Sequence, residues 1–151
     1  MRVSSHPWPG IILYFIISFV LHFLWEKLQM PLYAVDWSFW ECTLRCLYAT
    51  ATGDMAFMAV IYFALAFIHQ DLFWVMDAKA FRHPATWVIA ALLGLMLGTG
   101  FELWAVYVDH RWVYSALMPM VPVVQVGLSP VLQMTLIPMA VLLTLRKSIA
   151  R

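Results

Sequence analysis

Charge is what this sequence is short of. Lysine, arginine, aspartate and glutamate make up 11% of its 151 residues, against about a quarter in a soluble globular chain. Nine basic and eight acidic residues leave a net charge of +1. The one basic cluster is the short tail of Arg146, Lys147 and Arg151, so the electrostatic footprint of a nucleic-acid partner is missing. Cysteine is nearly absent. Cys42 and Cys46 cannot form a disulfide framework, and their four-residue spacing on a helix suits a disulfide poorly. They read as small packing residues rather than a soft-metal pair. Strand-like alternation, linkers, low-complexity tracts and a convincing internal repeat are all lacking. The first apolar segment has no small-residue cleavage site and carries His22 and Glu26, so it is expected to be a span and not a cleaved signal.

What is abundant is apolar surface: hydrophobic residues make up 64% of the chain. That implies a polytopic membrane protein whose solvent is the lipid bilayer. Four segments are long enough to span, at roughly 20 residues each. They run over about 10–30, 44–68, 85–107 and 123–145. Pro31 closes the first and Pro84 opens the third, while Pro130 and Pro138 interrupt the fourth. A Trp-rich interfacial link (34–43), a polar connection (69–83) and a longer loop (109–122) join them. The expected fold is all-α and integral to the membrane, a single domain over 1–151 built as an antiparallel four-transmembrane-helix bundle.

Arg2, Lys79, Arg82, Arg146, Lys147 and Arg151 fall on one side of such a bundle, against Lys27, Arg45 and Arg111 on the other. The positive-inside rule then places both termini in the cytoplasm. In that topology His22, Glu26, Asp54, Glu102, Gln125, Ser129 and Gln133 all lie in the outer half. Their faces agree with their depth. Ser18, His22, Glu26 and Gln29 fall within about 80° of arc, whereas Lys27 points away and is expected to snorkel. Cys46, Ala49, Thr50, Gly53 and Asp54 form a second stripe, and Gln125, Ser129 and Gln133 a third. On the third helix Gly94, Gly98, Glu102, Ala105 and Asp109 recur at helical spacing. Small residues there permit close helix approach. A carboxylate in a membrane helix is costly and by default marks a function facing the interior.

Three chemistries suit this set. His22 and Glu26, one turn apart, read either as a base oriented by an acid or as a buried fastener between helices. His22, Glu26, Asp54 and Glu102 together read as ligands of a divalent metal, although their spacing matches no compact metal motif; the metal-free arrangement is favoured and the cofactor is left unknown. Without a metal, three carboxylates in a low-dielectric pocket cannot all be ionised, and one that keeps its proton is a candidate general acid. The candidate catalytic residues are Glu102 as general acid, Glu26 as second acid or base, His22 as its orienting partner and Asp54 as an electrostatic neighbour. Arg111 is the expected counter-charge at the mouth. Trp112, Tyr114, Gln125, Ser129, Gln133, Trp25 and Trp104 are the candidate binding residues, with the tryptophans also forming an interfacial belt.

Two resemblances fall on these residues. His22-x3-Glu26, followed by Glu102 with Asp109 and Arg111 behind it, resembles the pattern of the emopamil-binding (EXPERA) sterol isomerases, in which a histidine and two acids move protons on a sterol double bond. Glu102-x2-Ala105 followed by Trp112-x-Tyr114 is similar to a stretch of the membrane lycopene cyclases. The chain as a whole resembles small four-helix proteins of the bacterial inner membrane. These resemblances imply acid–base chemistry on an isoprenoid-like or lipid-like ligand, of the isomerase, cyclase or hydratase kind. Two other readings stay open from the sequence: an accessory subunit of a larger membrane complex, with the polar cluster as internal glue, and a homodimeric transporter.

Overall fold

The computed structural model describes residues 8–149; Arg2 and Arg151, used in the orientation argument, lie outside them. The described chain is helical, and its connections form only isolated bridges. Helix α1 covers Trp8–Gln29 and continues as a 3-10 turn to Leu32. Helix α2 (Phe39–Ala49) passes through a π turn (Thr50–Asp54) into α3 (Met55–His69). Helix α4 is Pro84–Tyr107 and α5 is Leu128–Ile149. Four helices are long and apolar enough to cross a membrane: Trp8–Leu32, Phe39–His69, Pro84–Tyr107 and Leu128–Ser148.

The starts and stops follow local chemistry. Ser38 accepts from the Glu41 amide while the Glu41 carboxylate accepts from the Ser38 amide, a reciprocal pair that satisfies two free donors of the first turn. This cap starts the second span five residues before the expected 44. In consequence α2 covers the side of α1 that carries Lys27. That ammonium donates to Thr43 Oγ1 at 2.9 Å and to Cys42 Sγ at 3.5 Å, over the Phe39 ring, so it does not snorkel away. Both thiols are free, 4.0 Å apart. Pro84 sits in the first turn of α4, where its missing N–H costs nothing. Gln70, in the left-handed region at φ 52°, ends α3.

Helix α5 starts at Leu128 and not at 123, because Val123 and Gln125 both have positive φ, at 74° and 54°. They belong to a tight turn closed by Val121 N–H to Val126 O at 2.8 Å. Pro130 then falls in the first turn, where proline is tolerated, and the helix runs on through Pro138. The α4–α5 contact is the most extensive in the molecule. A Cβ on Gly94 would overlap the Met134 carbonyl oxygen, and one on Gly98 would stand 2.9 Å from Met134 Cβ. Gly94, Gly98, Glu102 and Ala105 are buried as the spacing predicts, but α4 ends at Tyr107 and Asp109 is exposed.

The apolar core occupies one region of the molecule, around Tyr14, Met58, Tyr62, Leu65 and Val141. The 69–83 connection, expected to be polar, closes it. Trp74, Val75 and Phe81 are buried there, and the Trp74 indole donates to Tyr62 O at 3.2 Å. With that region filled by side chains, the polar residues collect elsewhere. Large apolar side chains such as Ile16, Leu28, Phe63, Phe67 and Met96 stay exposed.

Candidate functional site

The last turns of α1 and α4, the second turn of α5 and the π turn surround a cavity of about 660 Å³, within the range of small-molecule sites. Glu26, Asp54, Glu102 and Gln133 all line it. A π turn carries an extra residue per turn and is common at functional positions; here it ends at Asp54, on the wall of the cavity.

A connected amide network holds one side. Gln29 Nε2 donates to Glu26 Oε1 and to Gln133 Oε1, both at 2.9 Å. Ser129 Oγ donates to Gln29 Oε1 at 2.9 Å and accepts from the Trp25 indole at 3.2 Å. Each amide oxygen therefore receives a donor and each amide nitrogen finds an acceptor, which fixes both side chains. Gln133 Nε2 reaches His22 Nδ1 at 3.1 Å and Asp54 Oδ2 at 3.4 Å. His22 is fully buried, with Asp54 Oδ2 3.6 Å from Nδ1, and its Nε2 has no partner among the described residues. The expected His22–Glu26 pairing is thus replaced. Glu26 is held by Gln29, while His22 is met across the bundle by Gln133 and Asp54.

The other side is built by Glu102. Its Oε2 accepts the Tyr114 hydroxyl proton, and Trp112 Nε1 lies beside the same carboxylate, buried, without closing a hydrogen bond. Tyr114 reaches Glu102 because the loop after α4 folds back onto the chain after α1. Ala34 N–H donates to Val113 O and Ser115 N–H to Leu32 O, each at 2.9 Å. Tyr33 stacks obliquely on Tyr114 and edge-on to Trp112. Gly127 permits the arrangement: a Cβ there would stand 2.9 Å from Tyr114 Cε1. The phenols of Tyr33 and Tyr114 are both pushed above the usual tyrosine range. Burial is the larger cause in each; the Glu102 carboxylate adds to it, by charge at Tyr33 and through the hydrogen bond at Tyr114. Both remain neutral donors at physiological pH.

Several expected members fall differently. Gln125 is exposed and outside α5, and only its backbone carbonyl is used, by the Tyr107 hydroxyl at 2.9 Å. The left-handed turn at 123–125 breaks the helical spacing that put it on the inner stripe. Arg111 does lie on the cavity wall, but its Nε is paired with Asp109 Oδ2 at 2.7 Å and its guanidinium covers Trp104 at 4.7 Å. It is not the counter-charge of a buried acid. Trp104 is 40% exposed and serves as that platform. Trp25 supports Ser129 instead of touching an acid. Among the described residues, no three His, Cys, Asp or Glu side chains converge as the ligands of one metal ion would.

Gln29, Tyr33 and Arg45, which also line the cavity, carry weaker sequence signals. Gln29 shares the His22–Glu26 stripe, and Arg45 is a cation within an apolar helix. Tyr33 follows Pro31 outside any periodic segment, and only the chain fold brings it back. The chain matches no protein-family model, and no curated protein or solved structure matches it significantly.

Proposed function

We propose that this protein is a small membrane enzyme that performs acid–base chemistry on an unsaturated lipid-like or isoprenoid-like substrate. Its four apolar helices form an antiparallel bundle in a bacterial inner membrane, with both termini cytoplasmic and the cavity in the outer half. The observation that carries the reading is the position of Glu102. This buried carboxyl lines a 660 Å³ cavity, with one oxygen held by Tyr114, and Glu26 and Asp54 line the same cavity. Carboxyl groups are expensive inside a membrane protein and are expected there when they act.

In this reading Glu102 delivers its proton to one carbon of a substrate double bond, and Tyr114 hydrogen-bonds the carboxylate left behind. The positive charge that develops on the neighbouring carbon faces Glu26 and the aromatic rings of Phe57 and Phe101, whose centroids are 5.4 Å apart. Loss of a proton from an adjacent carbon to Glu26 gives a shifted double bond, so one proton enters and one leaves. Gln29 holds Glu26 in place for that transfer. His22 touches neither acid's oxygen in this scheme; with Gln133 it positions Asp54.

The chemistry can be tested without knowing the substrate. Purified protein is reconstituted with total bacterial lipid extract in heavy water, and the lipids are recovered in ordinary water and weighed by mass spectrometry. A lipid that acquires deuterium on carbon, where it cannot wash out, is the substrate or product. Glu102→Gln should slow that labelling by about 10²–10⁴-fold, the usual contribution of a positioned acid. If no lipid is labelled, or the variant labels as fast as the parent, the proposal fails.

A further inference from the structure

The acids sit deep in the cavity, while its mouth carries the opposite sign. Arg45 and Arg111 both line it, with His110 beside them. Arg45 lies over the Trp37 ring at 4.4 Å, and among the described residues it makes no ion pair. Arg111 gives Nε to Asp109 and lies over Trp104, and among the described residues its two terminal amino groups have no hydrogen-bond partner. Stacking on a tryptophan holds a guanidinium's plane while its edge donors stay free, the form in which arginine recognises phosphate-like groups.

A second observation concerns the side of the cavity. Helix α2 packs on α1, whereas α4 packs mainly on α5 and also on α3. Tyr48 of α2, Thr52 and Gly53 of the π turn and Phe101 of α4 all line the cavity. Tyr48 is 72% exposed although it lines the cavity, and no side chain comes within 4 Å of a Cβ built on Gly53. The cavity therefore opens sideways, onto an apolar and aromatic surface of the bundle. At 660 Å³ it is the size of a compact ligand, and a long chain would have to leave through that opening.

We infer that the cavity takes an amphiphile bearing a phosphate-like anionic head group, held at the mouth between Arg45 and Arg111, with its apolar chain leaving between α2 and α4. This rests on the enzyme reading above and narrows its substrate class. The head group fixes one end of the molecule, so the bonds just beyond it are the ones that meet Glu102. The neutral-lipid alternative fits less well, because it leaves two tryptophan-stacked arginines unused.

The test uses the full chain in nanodiscs of zwitterionic phosphatidylcholine and reads tryptophan fluorescence, since Trp37, Trp104 and Trp112 surround the proposed site. The probes are dodecyl phosphate, dodecanol and inorganic phosphate. Dodecyl phosphate should bind at least tenfold more tightly than dodecanol, and its affinity should fall as salt is added. Arg45→Ala and Arg111→Ala should each weaken it roughly tenfold, the loss of about one charge-assisted hydrogen bond. Equal binding of dodecanol, or unchanged binding in both arginine variants, overturns the inference. So does inorganic phosphate competing as strongly as dodecyl phosphate, which would assign the mouth to a free anion. Because the salt dependence is measured on the unaltered chain, a misfolded arginine variant does not decide the matter. Arginine-dependent binding without any lipid deuteration would sink the acid–base reading alone, and Glu102-dependent deuteration without arginine-dependent binding would sink this inference alone.

Discussion

Alanine at Gly94, Gly98 and Gly100 should separate the three glycines of α4 by sign. In a membrane the lipid is as apolar as the helix surface, so two helices stay together largely through close van der Waals packing. At Gly94 the added methyl meets the Met134 carbonyl oxygen, which is backbone and cannot rotate aside. At Gly98 it meets Met134 Cβ at 2.9 Å, where carbon atoms prefer about 3.5–4.0 Å, so the helices must part locally by roughly half an ångström or more. Overpacking of this kind costs about 1–3 kcal/mol. Gly98→Ala should fall inside that range and Gly94→Ala at its upper end. Gly100 has nothing within 4 Å of its would-be Cβ, so Gly100→Ala should gain up to about 1 kcal/mol from helix propensity. The assay is reversible unfolding in mixed micelles, with the fraction of sodium dodecyl sulfate as denaturant and tryptophan fluorescence as readout. Midpoints should rank Gly100→Ala, parent, Gly98→Ala, Gly94→Ala from most to least stable. If Gly94→Ala unfolds with Gly100→Ala, the α4–α5 contact described here is wrong. The position of Glu102, one turn beyond Gly98 on the same face, would be wrong with it.

Two further outcomes follow from the site. Gln133→Leu keeps roughly the same volume but leaves Gln29, Asp54 and His22 without their shared partner, at a cost of about 1–3 kcal/mol for each buried group left unpaired; a midpoint equal to the parent's in the same micelle assay would show that the amide network does not form. The Tyr33 and Tyr114 phenols stand above the usual value of about 10, so they hold their protons when the unfolded chain loses its own. Their contribution to stability is therefore intact below about pH 10 and is lost as pH climbs through and beyond that value. In an alkaline titration followed by tyrosinate absorbance, Tyr33→Phe/Tyr114→Phe should match the parent through the ordinary phase and lose amplitude only in the late one. Loss of amplitude in the ordinary phase would refute their burial.

How much of this the sequence discloses depends on how local the cause is. Four apolar segments long enough to span can be read directly, because length and hydropathy need no knowledge of neighbours. The Gly94–Gly98–Glu102–Ala105 face is equally local, since a helix imposes its own spacing, and the structure buries all four residues. The same rule failed at Gln125 because it assumed a helix where two positive-φ residues make a turn. Asp54 lines the cavity as that spacing expects, although a π turn interrupts the second span there; the run Thr50-Ala51-Thr52-Gly53-Asp54, polar and glycine-bearing inside an apolar helix, is the visible trace of that turn. Partnerships were harder still. His22 and Glu26 share a face, and spacing alone would pair them. Gln133 of α5, however, offers His22 a donor at 3.1 Å from across the bundle, and Gln29, three residues on along α1, offers Glu26 one at 2.9 Å. A buried polar side chain goes to the partner that completes its hydrogen bonds, and spacing on one face does not say which partner that is. Tyr33 is the extreme case. Its place beside Tyr114 and Trp112 depends on two loops meeting through backbone bonds at Ala34 and Ser115, for which the residues themselves give no periodic signal. The acids of this cavity were therefore legible as a set before they were legible as pairs. A mechanism has to be argued from the pairs: Tyr114 holds Glu102, and Gln29, not His22, holds Glu26.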